Sequence, residues 1–191
     1  MRKSKILEIP KRIPVSDEIE LKQLEPADAF DLFSTVDVHK EYMGDWLPFV
    51  TYTLDYGHSQ QYVVSVMNAP EEYKESIHVV WYCEEFAGLV GFKNTDNFNK
   101  KTEIGYWLSA PFQKKGIMTR SVDKLLELAY GTMNMNRVQI KCHVGDFASS
   151  NIPKRLGFKF EGIEREGERL PDGKYADIEI FSLLKQEFRV K

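Results

Sequence analysis

The segment Gln113–Thr119 is the part of the chain whose residue types most clearly predict chemistry. It lies between a strand-like run and an amphipathic pattern, so Gly116 would stand beside the unpaired N–H groups of a helix start. Lys114, Lys115 and Arg120 add positive charge with no acidic residue among them. The segment therefore predicts an anion site. As a bare pattern it is equally compatible with a plain turn, since the P-loop and dinucleotide motifs are absent.

The composition is that of an ordinary globular chain. Of 191 residues, 42% are hydrophobic and 29% are charged, and the formal net charge is −3. The length and the lack of a linker or repeat favour a single domain over residues 1–191. The net charge argues against general nucleic-acid binding, and no apolar run approaches the ~18 residues that a membrane span needs.

The cysteines and histidines predict neither a disulfide framework nor a metal centre. Cys83 and Cys142 lie in strand-like runs without a CxxC pattern. This favours reduced thiols in a cytoplasmic protein over the alternative of one disulfide. The four histidines are scattered, with no spacing typical of metal ligands. We therefore expect no metal.

The hydrophobic periodicity predicts about seven strands and four helices. The predicted strands are 19–24, 77–83, 86–93, 102–108, 138–144, 158–165 and 175–184. The helices open at Pro26, near a cap at Ser59, at Gly116, and around Ile152 before Gly157. The order β-α-α-β-β-β-α-β-α-β-β predicts an α/β (α+β) fold, with helices packed on a mixed sheet.

Two motifs in the second half of the chain resemble the GNAT N-acetyltransferases. The pattern Gln113-x-x-Gly116-x-Met118 is similar to the Q/R-x-x-G-x-G/A acetyl-CoA loop of that family. Residues 146–162 are similar to its N-x-x-S-x-x-x-x-E-K-L-G-F-x-x-E-G stretch, with Asp in place of the first Asn. Met118 replaces a small residue. The nearest branch acetylates ribosomal-protein N-termini, and the resemblance spans residues 19–187.

The resemblance implies a GNAT-type fold with acetyl-CoA as the acetyl donor. In such folds the strand before the loop and the strand after the next helix splay apart, here 103–108 and 138–144, and the pantetheine arm lies in the gap. Backbone groups near the end of the first strand would polarise the thioester carbonyl. The cofactor contacts that the resemblance implies are Trp107, Leu108, Gln113, Lys114, Lys115, Gly116, Ile117, Met118, Thr119 and Asn151.

The resemblance also implies a catalytic pair. Ser149 takes the position of the acid that protonates the leaving thiolate, and Glu168 that of the base that serves the amine. The residues alone leave both roles open. A serine at a helix start is often only a cap, and Glu161, Glu164 and Glu166 belong to the same charged run.

Aromatic residues supply candidate contacts for the acceptor amine: Tyr42, Trp46 and Tyr175, with Phe49 beside them. Each could equally belong to the core, and His143 could face the cleft or be solvated. The resemblance implies a protein or peptide N-terminal α-amino group as acceptor. The alternatives are a small amine (polyamine, amino acid or drug) and a non-catalytic acyl-CoA-binding module. The homodimer common among relatives stays open.

Overall fold

A single mixed sheet forms the centre of the computed structural model, which describes residues 9–44, 46–70 and 75–188. Within these residues the sheet has eight strands, in the order β1-β2-β3-β4-β5-β6-β8-β7. Neighbouring strands are antiparallel except β5 and β6, which are parallel. The strands are β1 (Arg12–Pro14), β2 (Ile19–Gln23), β3 (Ser76–Tyr82), β4 (Glu85–Asp96), β5 (Lys101–Leu108), β6 (Arg137–His143), β7 (Lys159–Arg169) and β8 (Tyr175–Leu184).

Helices cover both faces of this sheet. They are α1 (Ala29–Gly44), α2 (Tyr56–Met67), α3 (Ile117–Tyr130) and α4 (Phe147–Arg155). α3 and α4 pack on one face, where Val122 and Leu125 are fully buried against β-strand side chains such as Val138. α1 and α2 pack on the other face, around Leu32 and Val63. The sheet therefore lies between two separate hydrophobic cores.

The predicted element order is confirmed, with one strand added in front. β1 has only three residues, too few for a period to show in the sequence. The N-terminal cap expected at Ser59 is wrong, because Asp55 accepts the His58 N–H and α2 starts at once after it. α4 is longer than predicted, because the Asp146 carboxylate accepts the Ser149 N–H and caps the helix there. The helix then continues through Pro153.

The parallel pair β5–β6 separates after its first three residues. The register joins Lys101, Thr102 and Glu103 to Arg137, Val138 and Gln139, and no pairing follows. β5 continues to Leu108 and β6 to His143, so the ends of both strands diverge. Backbone groups of β5 that face β6 beyond this point have no ladder partner there. The splayed strands that the resemblance implies are thus present.

A glycine on β4 holds the splayed end of β5 close. A Cβ on Gly88 would lie 2.2 Å from the Trp107 carbonyl oxygen and 2.9 Å from the Leu108 Cα. Both contacts are with backbone, so a side chain there could be accommodated only by moving β5. Gly88 therefore fixes where the end of β5 lies relative to the rest of the sheet.

Candidate functional site

The loop before α3 is built around two residues in the left-handed backbone region. Gly116, at φ 73°, is the N-terminal cap of α3, and Lys114 has φ 61°. The first helical hydrogen bond of α3 runs from the Arg120 N–H to the Gly116 carbonyl. The N–H groups of residues 117–119 therefore have no helical acceptor, and the positive end of the helix dipole lies beside them. This is the anion-binding geometry that the sequence predicts.

A cavity of about 740 Å³ opens in front of these N–H groups, and we call it the loop cavity. Its basic side chains are Lys114, Arg120 and Arg155. Arg155 is held toward α3 by a 3.3 Å hydrogen bond that it donates to the Thr119 hydroxyl. Most of the predicted cofactor contacts line this cavity: Trp107, Leu108, Gln113, Lys114, Gly116, Ile117, Met118, Thr119 and Asn151.

Two residues of the loop, Lys115 and Met118, have side chains that lie elsewhere than their residue types predict. The ammonium group of Lys115 lies over the Tyr82 and Phe112 rings, 5.3 and 5.5 Å from their centroids, and Lys115 does not line the loop cavity. Met118 is only 4% exposed and packs into the core beneath α3 beside Ile117. The side chain that departs from the family pattern is therefore accommodated mainly in the core.

Gln113 ties the end of β5 to α1. Its amide nitrogen donates to the Leu108 carbonyl at 3.4 Å and also to the Tyr42 hydroxyl. Tyr42 consequently lines the loop cavity, where it stands beside the predicted cofactor contacts rather than in a separate acceptor groove.

A second cavity, of about 390 Å³, lies on the α1–α2 side of the sheet, and we call it the sheet cavity. Trp46 and Phe49 line it, but Tyr175 lines neither cavity and is 56% exposed. The two cavities meet at the splayed strands. The residues that line both are Trp46, Leu47, Tyr106, Trp107, Asp146 and Ser149.

Ser149 is positioned at this junction by α4 and β5. Its N–H donates to the Asp146 carboxylate at 3.0 Å, and its carbonyl accepts the Tyr106 hydroxyl at 2.9 Å. Burial raises the pKa of Tyr106 well above its ordinary value, so the phenol stays a neutral donor. Burial likewise raises the pKa of the neighbouring Cys142 thiol to about 12. Ser149 thus lies in the first turn of α4, where these two hydrogen bonds hold its backbone in place.

Glu168 reaches the sheet cavity from β7 and contacts His143 on β6. The His143 Nε2 and Glu168 Oε2 atoms are 2.7 Å apart, and both residues line the cavity. The hydrogen bond from His143 lowers the pKa of Glu168 below its ordinary value. A bulge brings Glu168 to this place, because the β7–β8 register shifts between Glu164 and Glu168. Glu166 occupies the bulge, at φ 53°.

The neighbouring acids of the charged run are engaged elsewhere. Arg137 binds the Glu161 carboxylate at 2.7 Å and lowers its pKa to about 2. Lys141 binds Glu164 at 2.7 Å. Of these acids and Glu166, none lines either cavity, so Glu168 is the member of the run that faces the site.

Three residues that line the cavities are not among the site residues that the sequence predicts. Tyr106 and Asp146 line both cavities, and Arg155 lines the loop cavity. Arg155 lies within residues 146–162, the stretch that resembles the family motif, and its position there could have predicted its place at the cavity. Among the described residues no group of three or more His, Cys, Asp or Glu side chains could hold a metal ion. Nor is any described helix long and apolar enough to cross a membrane.

A comparison with protein families decides what this geometry belongs to. Residues 18–159 match the model of the GNAT acetyltransferase domain. The chain belongs to the GNAT acetyltransferase family. It is therefore an N-acetyltransferase that uses acetyl-CoA, and the loop cavity, with its free N–H groups and basic side chains, fits that donor.

The similar proteins span nearly the whole chain. YdaF of Bacillus subtilis (strain 168), whose name assigns it provisionally to the ribosomal N-acetyltransferases, is 31% identical over 91% of this chain and 95% of its own length. The ribosomal-protein-serine acetyltransferase of Escherichia coli (strain K12) is 24% identical over 89% and 94%.

Solved structures agree with this assignment. The microcin C7 self-immunity acetyltransferase MccE, in complex with acetyl-CoA and AMP, is 31% identical with a TM-score of 0.84, over 95% of this chain and 99% of that one. RimL, a ribosomal L7/L12 alpha-N-protein acetyltransferase in complex with coenzyme A, is 27% identical with a TM-score of 0.84, over 91% and 97%. The GNAT fold of this chain is therefore shown both by its own topology and by its neighbours.

Proposed function

We propose that this GNAT enzyme acetylates the N-terminal α-amino group of a protein or peptide, of the ribosomal-protein type. The observation that carries the proposal is the junction of the two cavities at Ser149. A donor held in the loop cavity would present its acetyl group there, and an amine in the sheet cavity would meet it from the other face of the sheet. RimL and the Escherichia coli relative, which act on ribosomal proteins by name, support this acceptor class.

The charges that line the sheet cavity fit an amine. Carboxylates of Glu75, Asp146 and Glu168 line it, whereas its lysines, Lys93 and Lys141, are paired with acids on β5 and β7. An ammonium group entering the cavity therefore meets net negative potential. An α-amino group has a pKa of ~8, so a modest base is enough to keep it neutral for attack.

Within this site we assign the role of general acid to Ser149 and the role of general base to Glu168 together with His143. The amine nitrogen attacks the thioester carbon and forms the C–N bond, and the Glu168–His143 pair takes the proton that the nitrogen loses. The C–S bond breaks, and the Ser149 hydroxyl protonates the leaving thiolate. Free backbone groups near Trp107 and Leu108 would stabilise the oxyanion, and the lack of a ladder partner for this part of β5 on the β6 side supports that role. Loss of one such donor or acid typically costs ~10²-fold or more in rate.

A small amine is the second candidate, and two observations favour it. The sheet cavity, at about 390 Å³, is within the ~300–1,000 Å³ range of small-molecule sites. MccE, at the same TM-score as RimL, was solved with AMP as well as acetyl-CoA. A nucleotide-linked amine is therefore the competing acceptor.

Thiol release from acetyl-CoA with a panel of acceptors tests the proposal. The panel contains peptides that begin with Ser or Ala, the same peptides with a blocked N-terminus, and small amines of each class, including aminoacyl nucleotides. We expect the free peptides to exceed every small amine in kcat/KM by at least ~10-fold, equivalent to ~1.4 kcal/mol. The blocked peptides should show no turnover. A small amine that outperforms the free peptides would overturn the acceptor assignment.

A further inference from the structure

We propose that the imidazole of His143 accepts the amine's proton and that Glu168 acts through it as a positioning residue. This deepens the proposed function, and it rests on it only in requiring an amine acceptor of some class. The assignment differs from the family resemblance, which implies the carboxylate as the base.

The hydrogen bond between the two side chains sets the tautomer of the neutral ring. Glu168 Oε2 lies 2.7 Å from His143 Nε2. An ionised carboxylate can only accept, so Nε2 carries a hydrogen, and in the neutral form of the ring the lone pair is then on Nδ1. No described residue bonds to Nδ1, while the ring lines the sheet cavity. The neutral ring therefore offers a proton acceptor on the acceptor's side of the site.

Burial separates the two candidates further. The His143 side chain is 10% exposed, whereas that of Glu168 is 47% exposed. The hydrogen bond from His143 also lowers the pKa of Glu168, which makes this carboxylate a weaker base than a free one. Imidazole is the side chain that most often serves as a general base in enzymes.

The remaining charged groups near the ring have other partners or other positions. Lys93 is 2.9 Å from Glu103, and Lys141 is 2.7 Å from Glu164. At the N-terminal cap of α4, Asp146 accepts the Ser149 N–H, and on β8, Asp177 accepts the Glu166 N–H at 2.8 Å. The other titratable side chains that line the same cavity are Glu75, Tyr62, Tyr106 and Cys142. Glu168 is thus the charged group in direct contact with the ring.

The resulting step is balanced. The neutral amine attacks the thioester carbon, so a C–N bond forms and the carbonyl oxygen becomes an oxyanion. Nδ1 of His143 removes one proton from the nitrogen, and Glu168 stabilises the imidazolium that forms. The oxyanion collapses, the C–S bond breaks, and Ser149 protonates the thiolate. Solvent then returns a proton from the imidazolium to the serine oxygen. The products are the acetylated amine and the free thiol of coenzyme A.

The test uses single-turnover acetyl transfer with the full chain and whichever amine class the acceptor panel identifies, so a wrong acceptor class leaves it intact. His143→Ala removes the base, and we expect the rate to fall by ~10²-fold or more while the Kd of acetyl-CoA changes by less than ~2-fold. Added imidazole should restore at least ~10-fold of this loss, rising with the fraction of neutral imidazole. His143→Asn keeps a polar side chain that cannot accept a proton and should lose as much rate.

Arg137→Gln is the matched control, because it removes the ion pair to Glu161 on the same face of β6 and β7, outside both cavities. Its rate should stay within ~2-fold of the wild type. Two results would overturn the proposal. One is a His143→Asn enzyme that keeps more than a third of the rate. The other is a His143→Ala enzyme that binds acetyl-CoA normally and is slow, yet does not respond to imidazole.

Discussion

Replacement of Gly116 separates two reasons for a glycine in the loop, backbone conformation and space for the ligand. Its φ of 73° costs other residues ~1–2 kcal/mol, although asparagine tolerates this region well. A Cβ there would meet no protein atom within 4 Å, and Gly116 lines the loop cavity, so a side chain would project into open space that acetyl-CoA must use. The first effect acts on folding and the second on binding.

The two effects rank the variants in opposite orders. At ~2–4 °C per kcal/mol for a chain of this size, Gly116→Ala should lower the apo Tm by ~2–8 °C. Gly116→Asn should lower it by less than half as much. Strain that is present in both free and bound enzyme cancels in KM, but overpacking against the ligand costs ~1–3 kcal/mol, or ~5- to 150-fold. The KM for acetyl-CoA should therefore rise more for Asn than for Ala.

Thermal melting without ligand and steady-state KM for acetyl-CoA measure the two quantities on the same preparations. A Thr119→Ser variant, which keeps the hydroxyl that accepts from Arg155, serves as a control for nonspecific disturbance of the loop. If both measurements rank Ala and Asn in the same order, the separation of conformation from ligand space is refuted. An unchanged KM in all variants would mean that the ligand does not approach Gly116.

Three further predictions follow from individual contacts. Arg155→Gln should raise the KM for acetyl-CoA by ~10-fold or more, since a hydrogen bond to a charged group is worth ~1.5–3 kcal/mol. Lys115→Gln should change this KM by less than ~3-fold. Equal effects of the two variants in steady-state kinetics would contradict the placement of these side chains. Gly88→Ala should lower the Tm by ~2–12 °C, because its Cβ would lie 2.2 Å from a backbone oxygen; an unchanged Tm would show that β5 yields freely. Glu161 has its pKa lowered to about 2 by Arg137, so the stability it contributes is present above its ordinary pKa of 4.5 and is lost as the pH falls toward 2. Because the side chain is 41% exposed, that contribution is only ~0–1 kcal/mol. Glu161→Gln should flatten this part of the acid unfolding curve, and an unchanged slope would count against the ion pair.

The elements that the sequence predicts well are those whose signal is local. α3 carries its apolar stripe in fourteen consecutive residues, and it begins one residue after the predicted start at Gly116. The loop before it follows from a glycine and neighbouring basic residues. The cap of α2 was misplaced because Asp55 and Ser59 are both good capping residues, and the sequence does not say which one precedes the first turn.

Side-chain direction was the least predictable property. Lys114 and Lys115 are identical in type and adjacent, yet only the first lines the loop cavity, because the aromatic rings of Tyr82 and Phe112 receive the second. Tyr82 comes from β3, more than thirty residues before the loop, so no local pattern could assign that contact. Tyr175 was expected at the acceptor site, but it begins β8 outside both cavities.

The proposed donor side and acceptor side of the candidate site differ in how they are assembled, and this explains which of the two the sequence reveals. The donor side is largely one continuous piece, the end of β5, the loop and the start of α3, whose N–H groups are free in any helix of this kind. The acceptor side joins α1, β6, α4 and β7, and depends on a bulge that carries Glu168 past the regular register. A bulge of this kind has no clear signature in one sequence, since it exchanges one exposed acid for another. Which acid acts with His143 in the proposed mechanism is therefore decided first by register, because Glu168 rather than Glu164 or Glu166 contacts that ring, and only then by the residue types themselves.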